Sequence, residues 1–460
     1  MSRPAPIPPH VGSCLKRALA AHDAADPASA LEALTAGALA DIQQHQQQFL
    51  GDIRACALFA DFTRDLLAPW AASLPPFIAP SAPGNPPRIA YCMPSLAQGN
   101  AASANLLRLI RHHITSKRIT PHVVLCEEHT RRDPATQFLQ LPDAPSTRTG
   151  AHMLAELRAL CPVTILPTTL SHLAAAQNAI TPLREARFDA ALFVASPACA
   201  IQTALAFARI APLQICLNIG VPLLSQGIDA VIYNNPPKAQ RDHAVLTARN
   251  IAMHSVETSG GDAASAAAVP ATPRSKLALP AHAPVLACVS NRLTDRLLAG
   301  TFAHDLSAFL QQHPDVWFVG IGPSDQSKLQ APLAPVIHRC IFTGPVADPR
   351  THLKSCDILL NEYPEGGGNS VIEAMGAGIP VVALRAGERH AECIGAHLVG
   401  PDAIPTNDRA AYWQLVTHWL QNPHARLQAA ARQRDRAVTC LDYAPICAAY
   451  EQSILNLLAR

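Results

Sequence analysis

The sequence predicts two Rossmann-like α/β domains, each built on a parallel sheet, facing one another across a cleft and preceded by a small all-helical domain. Three observations predict it. Apolar residues recur at helical spacing near the N-terminus, short β-type runs then alternate twice with helical stretches, and Pro- and Gly-rich segments separate the three regions.

The helical domain is placed at residues 1–80. Leu31, Leu34, Leu39 and Ile42, and then Ile53, Leu58, Phe62 and Leu66, share the helical period. The polar run from Gln43 to Gln48 suits a solvated helix face. Residues 73–87, with six prolines, close the domain as a linker.

The first α/β domain is placed at residues 88–255. Its strand candidates are RIAYCM, HVVLC, VTILP, DAALFVA, PLQICL and DAVIYN, with helices such as 105–113 and 153–160 between them. Strands alternating with helices imply βαβ units. Residues 257–276 are small, with Gly and Pro, and read as a second linker or exposed loop. The second α/β domain, residues 284–460, repeats the rhythm through VLACVS, VWFVG, HRCIFTG, DILLN and PVVAL, and ends in helical patterns at 412–420 and 444–458.

Composition excludes several classes. Charged residues make up 15% of the chain and the formal net charge is +2, so no basic excess argues for nucleic acid. The 13 cysteines show no CxxC pair, which argues against a zinc ribbon and fits reduced thiols. No cluster of His, Asp and Glu has metal-ligand spacing, so no metal and no cofactor are expected. The N-terminus lacks an apolar signal region, and no apolar run approaches the roughly 18 residues of a membrane helix. A soluble, cytoplasmic protein is expected.

The sharpest local signal runs from Asp357 to Val382. A buried strand ends at Asn361, a loop carries Gly366, Gly367 and Gly368, and a helix begins near Ser370. Glycines let the backbone approach a ligand, and a helix start offers free N–H groups and a favourable dipole. That describes a cradle for a diphosphate. It has neither the Lys of a P-loop nor GxGxxG spacing. A plainer account stays open on the residues alone. Ser370 and Glu373 form an S-x-x-E capping box, and Gly376 and Gly378 suit a helix end.

Glu365 and Glu373 stand in the Glu-x7-Glu arrangement of the large retaining GT-B glycosyltransferase families, whose motif closes with a small-residue phrase like EAMGAGIPVV here. The resemblance implies that Glu365 touches the donor sugar, that Glu373 binds the nucleotide ribose, and that Asn369 and Ser370 meet the diphosphate with Gly366, Gly367 and Gly368. Residues 188–234 resemble the middle of O-GlcNAc transferases and bacterial adhesin N-glycosyltransferases. The shared residues are Arg209, Ala211, Pro212 and Gln214, then Gly220, Pro222, Ile228 and Asp229. The adhesin enzymes also place a helical domain ahead of two Rossmann domains. This chain departs from them in the loop 96–105, which keeps Gly99 but lacks their histidines.

Related GT-B enzymes place a basic pair after the strand matched here by VLACVS. Arg292 fits the first place and Arg296 approximates the second; an Arg292–Asp295 surface pair is the plain alternative. Such groups stabilise charge on a leaving diphosphate. Asn218, Gln226 and Gly99 are expected on the acceptor side. Glu388, Arg389, His390 and Glu392 fall where relatives place a donor-side loop. His112 and His113 read as solvated or packing residues on a helix.

The resulting expectation is a metal-independent glycosyltransferase. It would move a hexosyl or N-acetylhexosaminyl group from a nucleoside-diphosphate donor, UDP favoured, to a protein or glycan acceptor. The helical region would contact a partner or mediate oligomerisation. A non-catalytic GT-B-like scaffold, a glycan-assembly transferase and a nucleotide-sugar epimerase are the alternatives.

Overall fold

A computed structural model describes residues 7–44, 49–79, 84–97, 100–128, 145–218, 220–258, 260–290, 292–322, 324–364, 366–385 and 394–460. The chain divides into two compact units. One is Met1–Val256 together with Cys447–Arg460, and the other is Glu257–Ile446.

The first unit opens with the helices Pro9–Asp23, Pro27–Gln44 and Ile53–Ala72. The second of these buries Ala30, Leu31, Ala33, Leu34, Ala36, Ala38 and Ala40, so it is apolar on nearly every side. Its small residues permit close crossing: a Cβ on Gly37 would lie 2.9 Å from Cys14 Cβ. The third helix is capped by Asp52, whose carboxylate accepts from the Arg54 amide. Of the Gln43–Gln48 run, His45 to Gln48 lie outside the described residues.

Seven parallel strands follow: β1 (Arg88–Met93), β2 (Thr120–Leu125), β3 (Val163–Ile165), β4 (Ala190–Phe193), β5 (Leu213–Asn218), β6 (Ala230–Tyr233) and β7 (Ala252–Ser255), in the spatial order β3-β2-β1-β4-β5-β6-β7. The sequence missed β7. Ala-Met-His-Ser carries no β-branched residue, and it is recruited as an edge strand by pairing with β6, Ala252 opposite Ala230.

The Arg-x-Ala-Pro-x-Gln phrase is a structural knot. Arg209 Nη2 donates to both Asp229 carboxylate oxygens at 3.0 and 2.9 Å and to the Pro212 carbonyl at 2.6 Å. Buried Gln214 accepts from the Ile210 amide and donates to the Ala206 and Gly227 carbonyls, each at 2.7 Å. These bonds lock the start of β5 to the helix before it and the turn into β6.

Two buried histidines tie distant segments to this sheet. His172 Nδ1 lies 2.6 Å from Glu32 on the second N-terminal helix, and its Nε2 lies 3.0 Å from the Glu128 carbonyl. His113 is bracketed by Tyr91 Oη at 2.6 Å and Glu451 at 2.9 Å. Glu451 belongs to the last helix, Tyr443–Leu458, whose later part groups with the first unit although the sequence placed it in the second domain.

The second unit holds five parallel strands: β8 (Val285–Val289), β9 (Trp317–Ile321), β10 (Cys340–Phe342), β11 (Ile358–Leu360) and β12 (Val381–Val382), ordered β10-β9-β8-β11-β12. The sequence missed the helix Pro423–Arg436, which buries only Ala429, Ala430 and Gln433 and so shows little apolar period. It also misread residues 257–276 as a linker or exposed loop. The helix Ala263–Ala266 buries Ala263 and Ala266 against the helix Asn369–Gly376, where a Cβ on Gly376 would stand 2.5 Å from Ala263 Cα. The small residues there serve close packing. Gly378, at φ +80°, reverses the chain after that helix, and any other L-residue there would be strained.

Each unit is thus a doubly wound parallel sheet, and an N-terminal helical region precedes both. This is a GT-B-like architecture.

Candidate functional site

In an open α/β sheet, ligands sit beyond the carboxyl ends of the strands where the winding reverses. In the second unit that point lies between β8 and β11, adjacent strands with Ile358 opposite Leu286. The chain beyond β8 supplies Ser290, Arg292 and Arg296. The chain beyond β11 supplies Asn361, Glu362 and the glycines. The sequence-predicted basic and Gly-rich segments therefore come from neighbouring strands.

The loop after β11 is tightly held. Asn361, 2% exposed, donates from Nδ2 to the Gly367 carbonyl at 3.0 Å, and its own carbonyl accepts from Tyr412 Oη at 3.2 Å. A Cβ on Gly366 or Gly395 would collide with the Asn361 side chain. Tyr363 is buried edge-to-face against Phe302 and Tyr412; its hydroxyl donates to Asp305 at 2.8 Å and accepts from Trp413 Nε1 at 2.9 Å.

The helix Asn369–Gly376 starts directly after the glycines. Its N-cap is Gly368, with no side-chain cap bond, and Ser370 lies inside the helix. The capping-box account of Ser370 and Glu373 therefore fails. The amides of the first helical turn have no intrahelical partner and are not taken up by a capping side chain. Above Gly367, a Cβ would lie 2.5 Å from Ser370 Oγ and 2.8 Å from Arg296 Nη1. Helix start, hydroxyl and guanidinium converge on one small volume, an arrangement suited to a phosphate. Glu373 is half-buried on the same helix, near enough to Arg350 for their charges to interact.

Arg292 is exposed. Its amide donates to Ser290 Oγ at 2.9 Å, and its side chain pairs with Asp295 at 3.6 Å. An exposed pair of this kind contributes little to stability, so the side chain can turn to a ligand cheaply.

Glu362 was not singled out from the sequence. It is 2% exposed, and burial pushes its carboxyl above the usual range, while the positive charge of Arg296 pulls the other way. Asn361 was read only as the end of a strand. Neither shows a sequence signal, because both act through neighbours brought in by the fold.

In the first unit, Asn218 ends β5 and is buried. Its Oδ1 accepts from the Gly220 amide at 2.9 Å, and its Nδ2 has no partner among the described residues. Gln226 is not beside it. The neighbouring Gly227 carbonyl bonds to Gln214 at the start of β5, so Gln226 sits exposed at the amino edge of the sheet, away from the edge where ligands bind. The structure thus separates two residues expected together. Gly99, Glu365, Glu388, Arg389, His390 and Glu392 lie outside the described residues. Among the described residues, no group of three His, Cys, Asp or Glu could hold a metal ion, and no helix is long and apolar enough to cross a membrane.

Two doubly wound units in one chain, the second with a phosphate-type cradle at its switch point, define a protein of the GT-B class of fold. Residues 283–422 match the family described as "Glycosyl transferases group 1". Among solved structures, HepE of Anabaena in complex with UDP and glucose superposes with a TM-score of 0.57 at 16% identity, covering 80% of this chain and 100% of that one. An O-GlcNAc transferase variant of Thermobaculum terrenum covers 98% of this chain and 97% of its own at TM-score 0.55 and 14% identity. A glycosyltransferase of Rickettsia africae covers 82% and 99% at TM-score 0.59 and 12% identity. At these identities the shared property is the fold. No curated protein sequence matches the chain.

Proposed function

We propose that the chain is a glycosyltransferase that takes a sugar from a nucleoside-diphosphate donor, UDP-linked in the first instance, and passes it to an acceptor hydroxyl or amide. The observation that carries this is the convergence of Arg296, Ser370 Oγ and the uncapped helix start on the space above Gly367. The match of residues 283–422 to a glycosyltransferase family covers this same segment, and HepE is described with UDP and glucose.

The chemistry follows from the groups. As the glycosidic bond breaks, negative charge grows on the departing diphosphate. In this reading the amides of Asn369 and Ser370, the Ser370 hydroxyl and Arg296 stabilise it, and the exposed Arg292 side chain turns in to join them. Gly366, Gly367 and Gly368 leave room for the phosphates. Glu373 takes the ribose hydroxyls and Glu365 the sugar. With the charge met by cations and backbone dipoles, a metal is not required. Asn218, with its unpartnered Nδ2, and Gly99 serve the acceptor side. The donor-binding domain is residues 284–460 and the acceptor-side domain 88–255.

The acceptor is a protein side chain in this reading, as for the O-GlcNAc and adhesin glycosyltransferases that the sequence resembles. The likeness to the Thermobaculum structure supports it by running over 98% of the chain, which takes in the helical region at 1–80. That region would receive the partner or mediate self-association, in the cytoplasm.

The test is thermal-shift titration of UDP, GDP and their sugar conjugates against wild type and Glu373→Ala. A ligand at 100 times its Kd stabilises by about 2.7 kcal/mol, a readily seen shift in Tm. One nucleotide should give the shift and Glu373→Ala should lose it. No shift with any nucleotide would overturn the reading in favour of a non-catalytic scaffold.

A further inference from the structure

We propose that Asn361 is a positioning residue of the nucleotide site. By drawing the Gly367 carbonyl into the interior, it turns the Gly368 N–H outward as a further donor to the diphosphate. The inference rests on the donor-site reading above and adds a residue to it.

Three observations carry it. Asn361 stands just beyond β11, is 2% exposed, and donates from Nδ2 to the Gly367 carbonyl at 3.0 Å. Its backbone is fixed on both sides: the amide donates to the Val382 carbonyl at 2.9 Å, and the carbonyl accepts from Tyr412 Oη at 3.2 Å. Its side chain lies between two glycines, since a Cβ on Gly366 or on Gly395 would collide with the Asn361 amide group. The clamp on Gly367 therefore has little room to turn.

The consequence follows from the rigid plane of a trans peptide. The Gly367 C=O and the Gly368 N–H share that plane and point opposite ways. With the carbonyl drawn to a buried side chain, the N–H is directed away from it, at a residue that is only half-buried. Gly368 is the N-cap of the helix Asn369–Gly376, so this N–H joins the amides of the first turn that have no intrahelical partner. Without the clamp, a peptide flanked by two glycines would rotate at little cost. It could then present an oxygen, and not a proton, to the anion. Asparagine suits the task because an ionised aspartate here could not donate to the carbonyl.

The experiment joins calorimetry with NMR on the full chain. UDP and uridine are titrated into wild type and Asn361→Asp. Isotope-labelled glycine amides of the wild type are followed with each ligand, and the Gly368 resonance is assigned by its absence in Gly368→Ala. Asn361→Asp should weaken UDP by about tenfold or more and leave uridine unchanged. In the wild type, UDP should move the Gly368 amide proton downfield and uridine should not. A merely structural role would lower the Tm of Asn361→Asp and keep its preference for UDP over uridine.

Unchanged UDP affinity in a folded Asn361→Asp, equal weakening of uridine, or a Gly368 amide that responds alike to UDP and uridine would each overturn the proposal. Should Asn361→Asp not fold, the wild-type spectra decide alone. Failure of the donor-site reading looks different: the wild type itself would bind no nucleoside diphosphate.

Discussion

Gln433 brackets Val381 from the side, accepting its amide at 2.7 Å and donating to its carbonyl at 3.1 Å. A single side chain thereby stands where a neighbouring strand would be and satisfies the open edge of β12. Gln433→Ala should cost about 2–4 kcal/mol, because it leaves two backbone groups at a buried edge without partners. Urea unfolding measures this; a loss under about 0.5 kcal/mol would show that water replaces the glutamine.

Gly367 and Arg296 compete for the same volume. In Gly367→Ala the new Cβ meets Ser370 Oγ and Arg296 Nη1, both ends of side chains that can move. Stability should fall by less than about 1 kcal/mol. Nucleotide affinity should drop at least about tenfold, since the displaced groups are those that would hold the phosphates. Normal binding by a folded Gly367→Ala would remove this loop from the site.

Two buried histidines should give pH dependences of opposite sign. Burial pushes His113 down to about 4, against the pull of Glu451. The unfolded ring titrates near 6.5, so between those values the unfolded state holds more protons. Stability from His113 therefore falls as pH drops through that window, by on the order of 3 kcal/mol in total. Burial also opposes the charged form of His172, but the bond to Glu32 and the charges of Glu32 and Glu128 outweigh it and raise its value. Its contribution is fully present below about 6.5 and is lost as pH rises through the folded value. Urea unfolding from pH 5 to 8 should show a shallower acid slope in His113→Asn and a shallower alkaline slope in His172→Asn. Unchanged slopes in both would mean that neither ring is held as described.

The Arg209–Gln214–Asp229 knot should matter for stability and not for ligand. Gln214→Ala removes three bonds from a fully buried side chain and should cost about 3 kcal/mol. Nucleotide binding, measured on the remaining folded protein, should stay within about twofold. A selective loss of binding would give this phrase a direct role.

The strands β1 and β8 and the loop from Gly366 to Gly368 were legible because strongly apolar runs and glycines act locally. β7 was not, because its strand character comes from pairing with β6 rather than from Ala-Met-His-Ser. The helix Pro423–Arg436 was hidden for a related reason: its chief anchor is a glutamine. Ser370 and Glu373 fit a capping box by spacing, yet the helix starts two residues earlier than that box requires and leaves the cap to Gly368. Glu362 escaped notice because its burial at the carboxyl end of β11 comes from the packing of segments far away in sequence. Gln226, expected on the acceptor side, lies exposed beside Gly227, whose carbonyl bonds to Gln214 at the start of β5, and nothing local in the sequence tells which edge of the sheet that turn occupies.

Gly261 is paired with Asp442: its amide bonds to the Leu441 carbonyl, and its carbonyl accepts from the Tyr443 amide, both at 3.1 Å. The second unit therefore closes on itself where its chain enters and leaves. To the first unit, everything between behaves as a loop of fixed span, whatever its length, and the entropy of closing it is paid by bonds inside the insert. Lengthening a turn in the second unit would leave unchanged the gap across which Glu451 is returned to His113. Such an arrangement makes the second unit a cassette, exchangeable as a block between the two pieces of the first.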